Sequence, residues 1–227
     1  MIPITVNSQG QSAKLVIDVW ADVICPWCYI GEHRLEKALA QFPHADEVEL
    51  RMHSFLLDPS LTDEVKPTAE YLAAKYNVPV EQARAMDARA AQEAARDGLP
   101  YSSDRPLRST IDMLRLVHLG NEYGWSVGWR YMRAMQAELF GGNPDAFDHS
   151  TLVRLGEGLG IPADDIRDVL STDRFTGAVL RDHQFAVQLG ARGVPFTVLA
   201  NRFAIPGAVP TEHYAQVLTH VWEQFRG

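Results

Sequence analysis

The chain has 227 residues, 46% of them hydrophobic, which is the composition of a folded protein and not of a disordered one. It carries 29 acidic against 21 basic residues, a formal charge of −8, which argues against nucleic acid or an anionic membrane surface as partner. No stretch approaches the ~18 uninterrupted apolar residues of a membrane span. Residues 1–14 lack the basic-then-apolar pattern of a secretory leader and read as a polar, loose segment, so the expected location is the cytoplasm.

The β-branched and apolar run Lys14 to Ala21 predicts a buried strand. Asp22-Val23-Ile24 turns the chain into Cys25-Pro26-Trp27-Cys28, and Pro26 suits the first position of a helix, where its fixed φ fits and its missing N–H costs nothing. Leu35, Ala38, Leu39 and Phe42 then recur at helical spacing until Pro43. Val48, Leu50 and Met52 alternate with Glu49, Arg51 and His53, a half-buried strand. The opening is thus β–α–β with the cysteines at the helix start.

From about Asp63 to Thr176 the pattern is helical, punctuated by Gly and Pro. Helices are predicted at Thr68 to Tyr76, Val80 to Arg96 (closed by Gly98), Ser109 to Tyr123, around Trp129 to Leu139, Thr151 to Leu159 and Ala163 to Leu170. A further helix, Asp173 to Leu189, leads to Gly193-Val194-Pro195. A hairpin follows: Phe196 to Ala200, a turn at Asn201-Arg202, then Phe203 to Ile205. Thr211 can cap a last helix with Tyr214, Val217, Leu218, Val221, Trp222 and Phe225 on one face. The expected organisation is an α/β domain of residues 13–62 and 177–227, interrupted by a helical insertion over 63–176.

The two cysteines are the only ones in the chain, and they lie three positions apart. A bond between them closes almost no loop, so it is a poor structural staple. Zinc would need two more ligands, and the eight histidines form no HxxH or HxxxH pair. A redox pair remains. Only a thiolate attacks a disulfide, and the unpaired N–H groups and positive dipole end of the helix beginning at Pro26 favour a negative sulfur on Cys25. Cys28, one turn further in, is the natural resolving thiol. Trp27 offers an indole N–H and a flat apolar face beside them, either as a tuning group or simply as a packing residue. Asp22 can relay protons or, as the turn chemistry favours, cap backbone amides. His33 reads as a surface residue, while Arg115 and His118 can line a cleft or be solvated.

Strand, CPWC, helix, strand, a helical insertion and a Val-Pro ahead of a hairpin together resemble the thioredoxin-fold proteins of the DsbA-like class. The runs DVICPWCYIG, SFLLDPS, GVPFTV and IPGAVP are similar to the FrnE-type branch, which groups with the 2-hydroxychromene-2-carboxylate isomerases and kappa-class glutathione transferases. This resemblance implies a thioredoxin-like fold with a large helical insertion and a thiol–disulfide oxidoreductase in which Cys25 attacks and Cys28 resolves. It also implies a cis Val194–Pro195 bond packed opposite Cys25, with the Val194 backbone free to pair with an extended substrate, and Asp18 as a buried acid beneath the cysteines. Protein or small-molecule thiols and disulfides would be the substrates. No metal or organic cofactor is called for beyond an external thiol couple, for which glutathione is a candidate, and a homodimer is left open. DsbA carries a histidine where Trp27 stands, so this pair is expected to be the less oxidising. A glutathione-dependent isomerase or transferase, with Cys25 activating glutathione, and a peptide-binding chaperone module with an idle CxxC are the rival readings. The isomerases usually have serine at the place of Cys25.

Overall fold

A computed structural model describes residues 14–226, so the polar leader lies, apart from Lys14, outside the described residues. The central strand β1 (Leu15–Ala21) leads through a turn to helix α1 (Pro26–Ala40) and strand β2 (Val48–Ser54). The helix stops two residues short of the expected Phe42 because the residue before a proline resists the α conformation. The Gln41 and Phe42 amides instead close tight turns onto Ala38 and Leu39. The inserted segment begins with a two-residue strand β3 (Lys66–Pro67), then α2 (Thr68–Tyr76) and α3 (Val80–Arg96). It continues with a second short strand β4 (Pro106–Leu107), α4 (Ile111–Glu122), α5 (Trp125–Phe140), α6 (His149–Gly158) and α7 (Ala163–Ser171). The block is helical apart from the antiparallel β3–β4 bridge, which is too short and too proline-rich for any alternation to reveal. Helix α8 (Thr176–Gln188) returns the chain to the sheet, followed by β5 (Phe196–Leu199), β6 (Phe203–Pro206) and α9 (Thr211–Arg226).

The sheet runs β2-β1-β5-β6. β1 and β2 are parallel, while β5 is antiparallel to both β1 and β6. The hairpin turn falls one residue earlier than expected. Ala200 and Asn201 both take positive φ, as a type I′ turn requires, and the Arg202 amide donates to the Leu199 carbonyl at 3.0 Å. Helix α9 starts at Thr211 itself, with the His213 and Tyr214 amides donating to the Pro210 carbonyl, so Thr211 lies inside the helix and does not precede it.

Alternation along β1 sends Leu15, Ile17, Val19 and Ala21 to one face, where they pack with Leu35, Ala38 and Leu39 of α1 and Leu218 and Val221 of α9. The same apolar cluster runs on into the inserted helices through Leu114, Val117, Met132 and Leu139. Trp20 points to the other face, onto Phe55, Ala186 of α8 and Phe196. Among the described residues no helix is long and apolar enough to cross a membrane.

That second face also holds an ionic cluster. The register sets Asp18 opposite Arg51 and Trp20 opposite His53. His53 stacks on Trp20, with Nε2 at 2.7 Å from Asp18 and Nδ1 at 3.5 Å from Asp182 of α8. Asp182 Oδ2 also accepts the Ser54 amide at 3.0 Å and lies 3.2 Å from His118 Nε2. Burial by itself would lower the His53 pKa, but the hydrogen bonds to Asp18 and Asp182 outweigh it and raise it from 6.5 to about 9. Burial likewise works against Asp182, whose histidine partners nonetheless hold it well below the usual carboxylate range. A histidine raised in the folded state stabilises the fold below its ordinary value and loses that contribution as pH rises through the raised one. Wild-type protein should therefore lose on the order of 2 kcal/mol relative to His53→Gln between pH about 6.5 and about 9. Denaturant midpoints measured across that window check it, and a pH-independent gap between the two proteins would disprove it.

Candidate active site

The site is assembled where β1 ends. The Cys25 amide donates to the Asp22 carbonyl at 3.2 Å, closing the turn that carries the chain over the top of the sheet. Cys25 has extended geometry (φ −82°, ψ 111°) and caps α1, with Pro26 as the first helical residue. Its carbonyl accepts the Cys28 and Tyr29 amides at 3.1 and 3.2 Å. No side chain caps this helix start, so the Trp27 N–H and the helix dipole are left for the sulfur. Within the motif Trp27 is the open residue, 40% exposed, whereas Cys25 is 3% exposed and Cys28 fully buried. The first cysteine therefore presents a narrow opening, less than its place at the helix start suggests.

The roof of the site comes from the far end of the chain. The Val194–Pro195 peptide is cis, and the Cys25 thiol donates to the Val194 carbonyl at 3.4 Å. Pro195 rests against α1 at Gly31, where a Cβ would meet the proline ring at 3.0 Å and the Ala208 backbone at 3.3 Å. Its carbonyl accepts the Gly207 amide at 2.8 Å, tying the loop to the end of β6. Gly31 was not apparent from the sequence, since a mid-helix glycine carries no sign of what lies against it.

Three buried acids or thiols surround this arrangement. Burial, reinforced by the neighbouring Cys25 and Glu32, pushes the Cys28 thiol well above its ordinary pKa. Asp22 is completely buried and pushed up to about 6, against hydrogen bonds from the Leu57 amide, the Thr110 hydroxyl and the Ile24 amide. Its contacts, Leu57 N–H at 2.8 Å and Ile24 N–H at 3.5 Å, are those of a residue that holds a turn to the loop after β2. Glu32 is the acid that sequence reasoning missed. It lies one turn after Cys28 on the same side of α1, and that i, i+4 spacing was the available signal. Its side chain is fully enclosed; Oε1 accepts from Gln136 at 3.1 Å, and Oε2 lies 3.6 Å from the Arg133 guanidinium. Burial raises it from 4.5 to about 7, with Arg133 pulling the other way.

Several expectations change. Asp18 projects to the face opposite the cysteines, paired with His53, because strand alternation separates it from Val19 and Ala21. Glu32 occupies the place beneath the cysteines instead. His33 is half-buried, its pKa lowered by burial and then by Arg133. Arg115 lines no cleft. It is buried and donates to the carbonyls of Val169, Thr172 and Arg174, satisfying the end of α7. His118 faces Asp182.

The sequence matches the DSBA-like thioredoxin domain over residues 16–219. The chain belongs to that family. A probable DsbA oxidoreductase from Streptomyces coelicolor is 40% identical and superposes with a TM-score of 0.80, covering 92% of this chain and 90% of that one. Two more distant structures share the DSBA-like fold. One is the cytosolic disulfide reductase DsbM from Pseudomonas aeruginosa, crystallised with GSH (21% identity, TM-score 0.60, 91% and 99% coverage). The other is a 2-hydroxychromene-2-carboxylate isomerase (16%, 0.63, 93% and 96%). No curated protein matches the sequence.

A carboxyl raised in the folded state stabilises below its ordinary pKa and loses that contribution as pH rises through the raised value. For Glu32 in this DSBA-like site the window runs from about 4.5 to about 7. Glu32→Gln should therefore gain about 2–3 kcal/mol over wild type on going from pH 5 to pH 8. Unfolding midpoints at the two pH values decide, and an equal difference at both would show that Glu32 titrates normally.

Proposed function

We propose that the protein is a thiol–disulfide oxidoreductase working through Cys25 and Cys28. The observation that carries this reading is the seating of Cys25 as the cap of α1, 3.4 Å from the Val194 carbonyl, with Cys28 enclosed one turn behind it. The Cys25 thiolate attacks one sulfur of a substrate disulfide. That S–S bond breaks, its second sulfur leaves as a thiolate and takes a proton from solvent, and a mixed disulfide forms on Cys25. Cys28 gives its proton to Glu32 and attacks Cys25 Sγ, expelling the first substrate sulfur as a thiolate that takes a proton from solvent. Glu32, and at the outset the Cys25 thiol, release theirs to solvent. The substrate disulfide has then gained two electrons and two protons, and the cysteine pair has lost them.

Run backwards, the same steps oxidise a dithiol. Attack on the mixed disulfide by another substrate thiol would instead rearrange substrate pairing, a disulfide isomerase activity. Proteins or small molecules bearing thiols or disulfides are the substrates in this reading, and a small-thiol couple of the glutathione kind returns the pair to its starting state in the cytoplasm. Val194 presents backbone to an extended substrate beside Cys25, and Trp27, exposed next to it, offers an apolar face. The presence of Cys28 behind Cys25 favours cycling over a glutathione-activating role for Cys25 alone.

The difference between the two sulfurs gives the test. Cys28 is both enclosed and held as a thiol, so a small alkylating reagent at mildly acid pH should modify Cys25 at least about tenfold faster. Cys28→Ser should accumulate mixed disulfides on Cys25, and Cys25→Ser should abolish insulin reduction. Equal labelling, or reduction that survives Cys25→Ser, would overturn the assignment.

A further inference from the structure

Helix α5 of the inserted block meets α1 next to the redox pair. Arg133 Nη1 donates to the carbonyl of Tyr29, the residue after Cys28, at 2.9 Å and to Gln136 Oε1 at 2.8 Å. Gln136 in turn donates to Glu32 Oε1. The guanidinium also lies over the Tyr29 ring at 5.1 Å and within 3.4 Å of Glu36. A polar chain therefore leaves α1 at the Tyr29 backbone, crosses to α5 and comes back to the Glu32 carboxyl. The arginine is fixed from several directions and is 14% exposed.

Its distance to Glu32 is the informative quantity. At 3.6 Å from Oε2 the pair is an ion-pair contact and not a hydrogen bond, and Oε2 is left buried with no hydrogen-bond partner. A close two-pronged arginine would lock the carboxylate in its ionised form and spoil it as a proton acceptor. With no cation at all, burial would hold it protonated. The observed spacing sits between these limits and leaves one buried oxygen without a hydrogen-bond partner on a carboxyl one turn from Cys28, whose charge bears on that thiol.

We propose that Arg133, supplied by the inserted block, is a positioning residue for the resolving step, holding Glu32 so that its open oxygen accepts the Cys28 proton. The inference rests on the oxidoreductase reading above. It assigns the inserted helices a part in the chemistry itself, besides any part in substrate choice. The charged or titratable groups around Glu32 are Cys28 and Glu36 on α1, Arg133 on α5 and Tyr214 on α9. Tyr214, pushed up to about 12 by burial, stays neutral throughout the useful range. Glu36 opposes Arg133 and is the weaker influence on Glu32.

The experiment follows the release of a chromophoric aryl thiol from a preformed mixed disulfide on Cys25, across pH 5 to 9. Wild type should show an inflection near 7. Glu32→Gln should remove it, and Arg133→Met should move it up by about one unit, making release about tenfold slower near pH 6. Arg133→Lys should restore most of the shift, because it returns the charge. Should Arg133→Met not fold, Arg133→Gln, which can still donate to the Tyr29 carbonyl, takes its place with the same expectation. A second readout needs no catalysis: the Glu32 carboxyl carbon, titrated by NMR, should move by the same amount between wild type and variant. An unchanged inflection with an unchanged Glu32 titration overturns the role of Arg133. If Cys28→Ser releases the thiol as fast as wild type, the redox reading fails instead, and the NMR comparison still judges whether Arg133 sets Glu32.

Discussion

The Val194–Pro195 loop can come down on the first turns of α1 because residue 31 has no side chain. A methyl group there would stand 3.0 Å from the proline ring, inside normal contact, with the Ala208 backbone close behind to prevent retreat. The rest of the active end follows from that approach. It sets the Val194 carbonyl over Cys25, closes Cys25 almost completely to solvent, and brings β6, through the Gly207–Pro195 hydrogen bond, to the same rim. Rigid elements thus position both sides of the reacting sulfur. The loop is held by the hairpin and the cysteine by the helix start.

The two faces of the sheet handle buried charge in opposite ways. On the α8 side His53 is partnered by two carboxylates and kept charged, which fastens α8 to β1 and β2. On the α1 side Cys28, Glu32 and Asp22 are buried with only partial compensation, so burial shifts each of them toward its neutral form, with Cys28 held as a thiol and the two carboxyls raised to about 7 and about 6. The second arrangement works against the fold near neutral pH, and such a cost is ordinary at a site that must move protons. A carboxyl near 7 beside a thiol held above its ordinary range suits proton transfer at that pH better than a fully ionised acid would.

The inserted helices are bound into this plan by charge as well as by apolar packing. Arg34 of α1 reaches Glu93 and Asp97 at the end of α3, at 2.7 and 2.6 Å. Asn121 of α4 donates to the Met52 carbonyl on the edge strand, and Arg133 of α5 ties to the Tyr29 carbonyl. The helical block is therefore held to α1 on either side of the redox helix, and its position is coupled to that of Cys28.

The order of strands and helices, the cysteine spacing and the proline before the last hairpin could be read from the chain, because each is a local pattern. β-branched runs, 3.6-residue periodicity, Pro at a helix start and Gly or Pro at its end act over a few residues. The family resemblance rested on the same short segments. What lay beyond reach was everything decided between residues far apart in the chain. Glu32 and Arg133 look like two ordinary surface charges until α5 is laid across α1, and Gly31 looks like a weak helix residue until Pro195 lies against it. The resemblance puts Asp18 beneath the cysteines, but strand alternation turns it to the opposite face, and Arg115, which the sequence leaves as either a cleft or a solvated residue, is buried and closes the end of α7. Local sequence determined which elements form and where the reactive sulfur sits on its helix. The tertiary structure decided which buried groups share its surroundings, because their protonation depends on burial and neighbours that only packing creates.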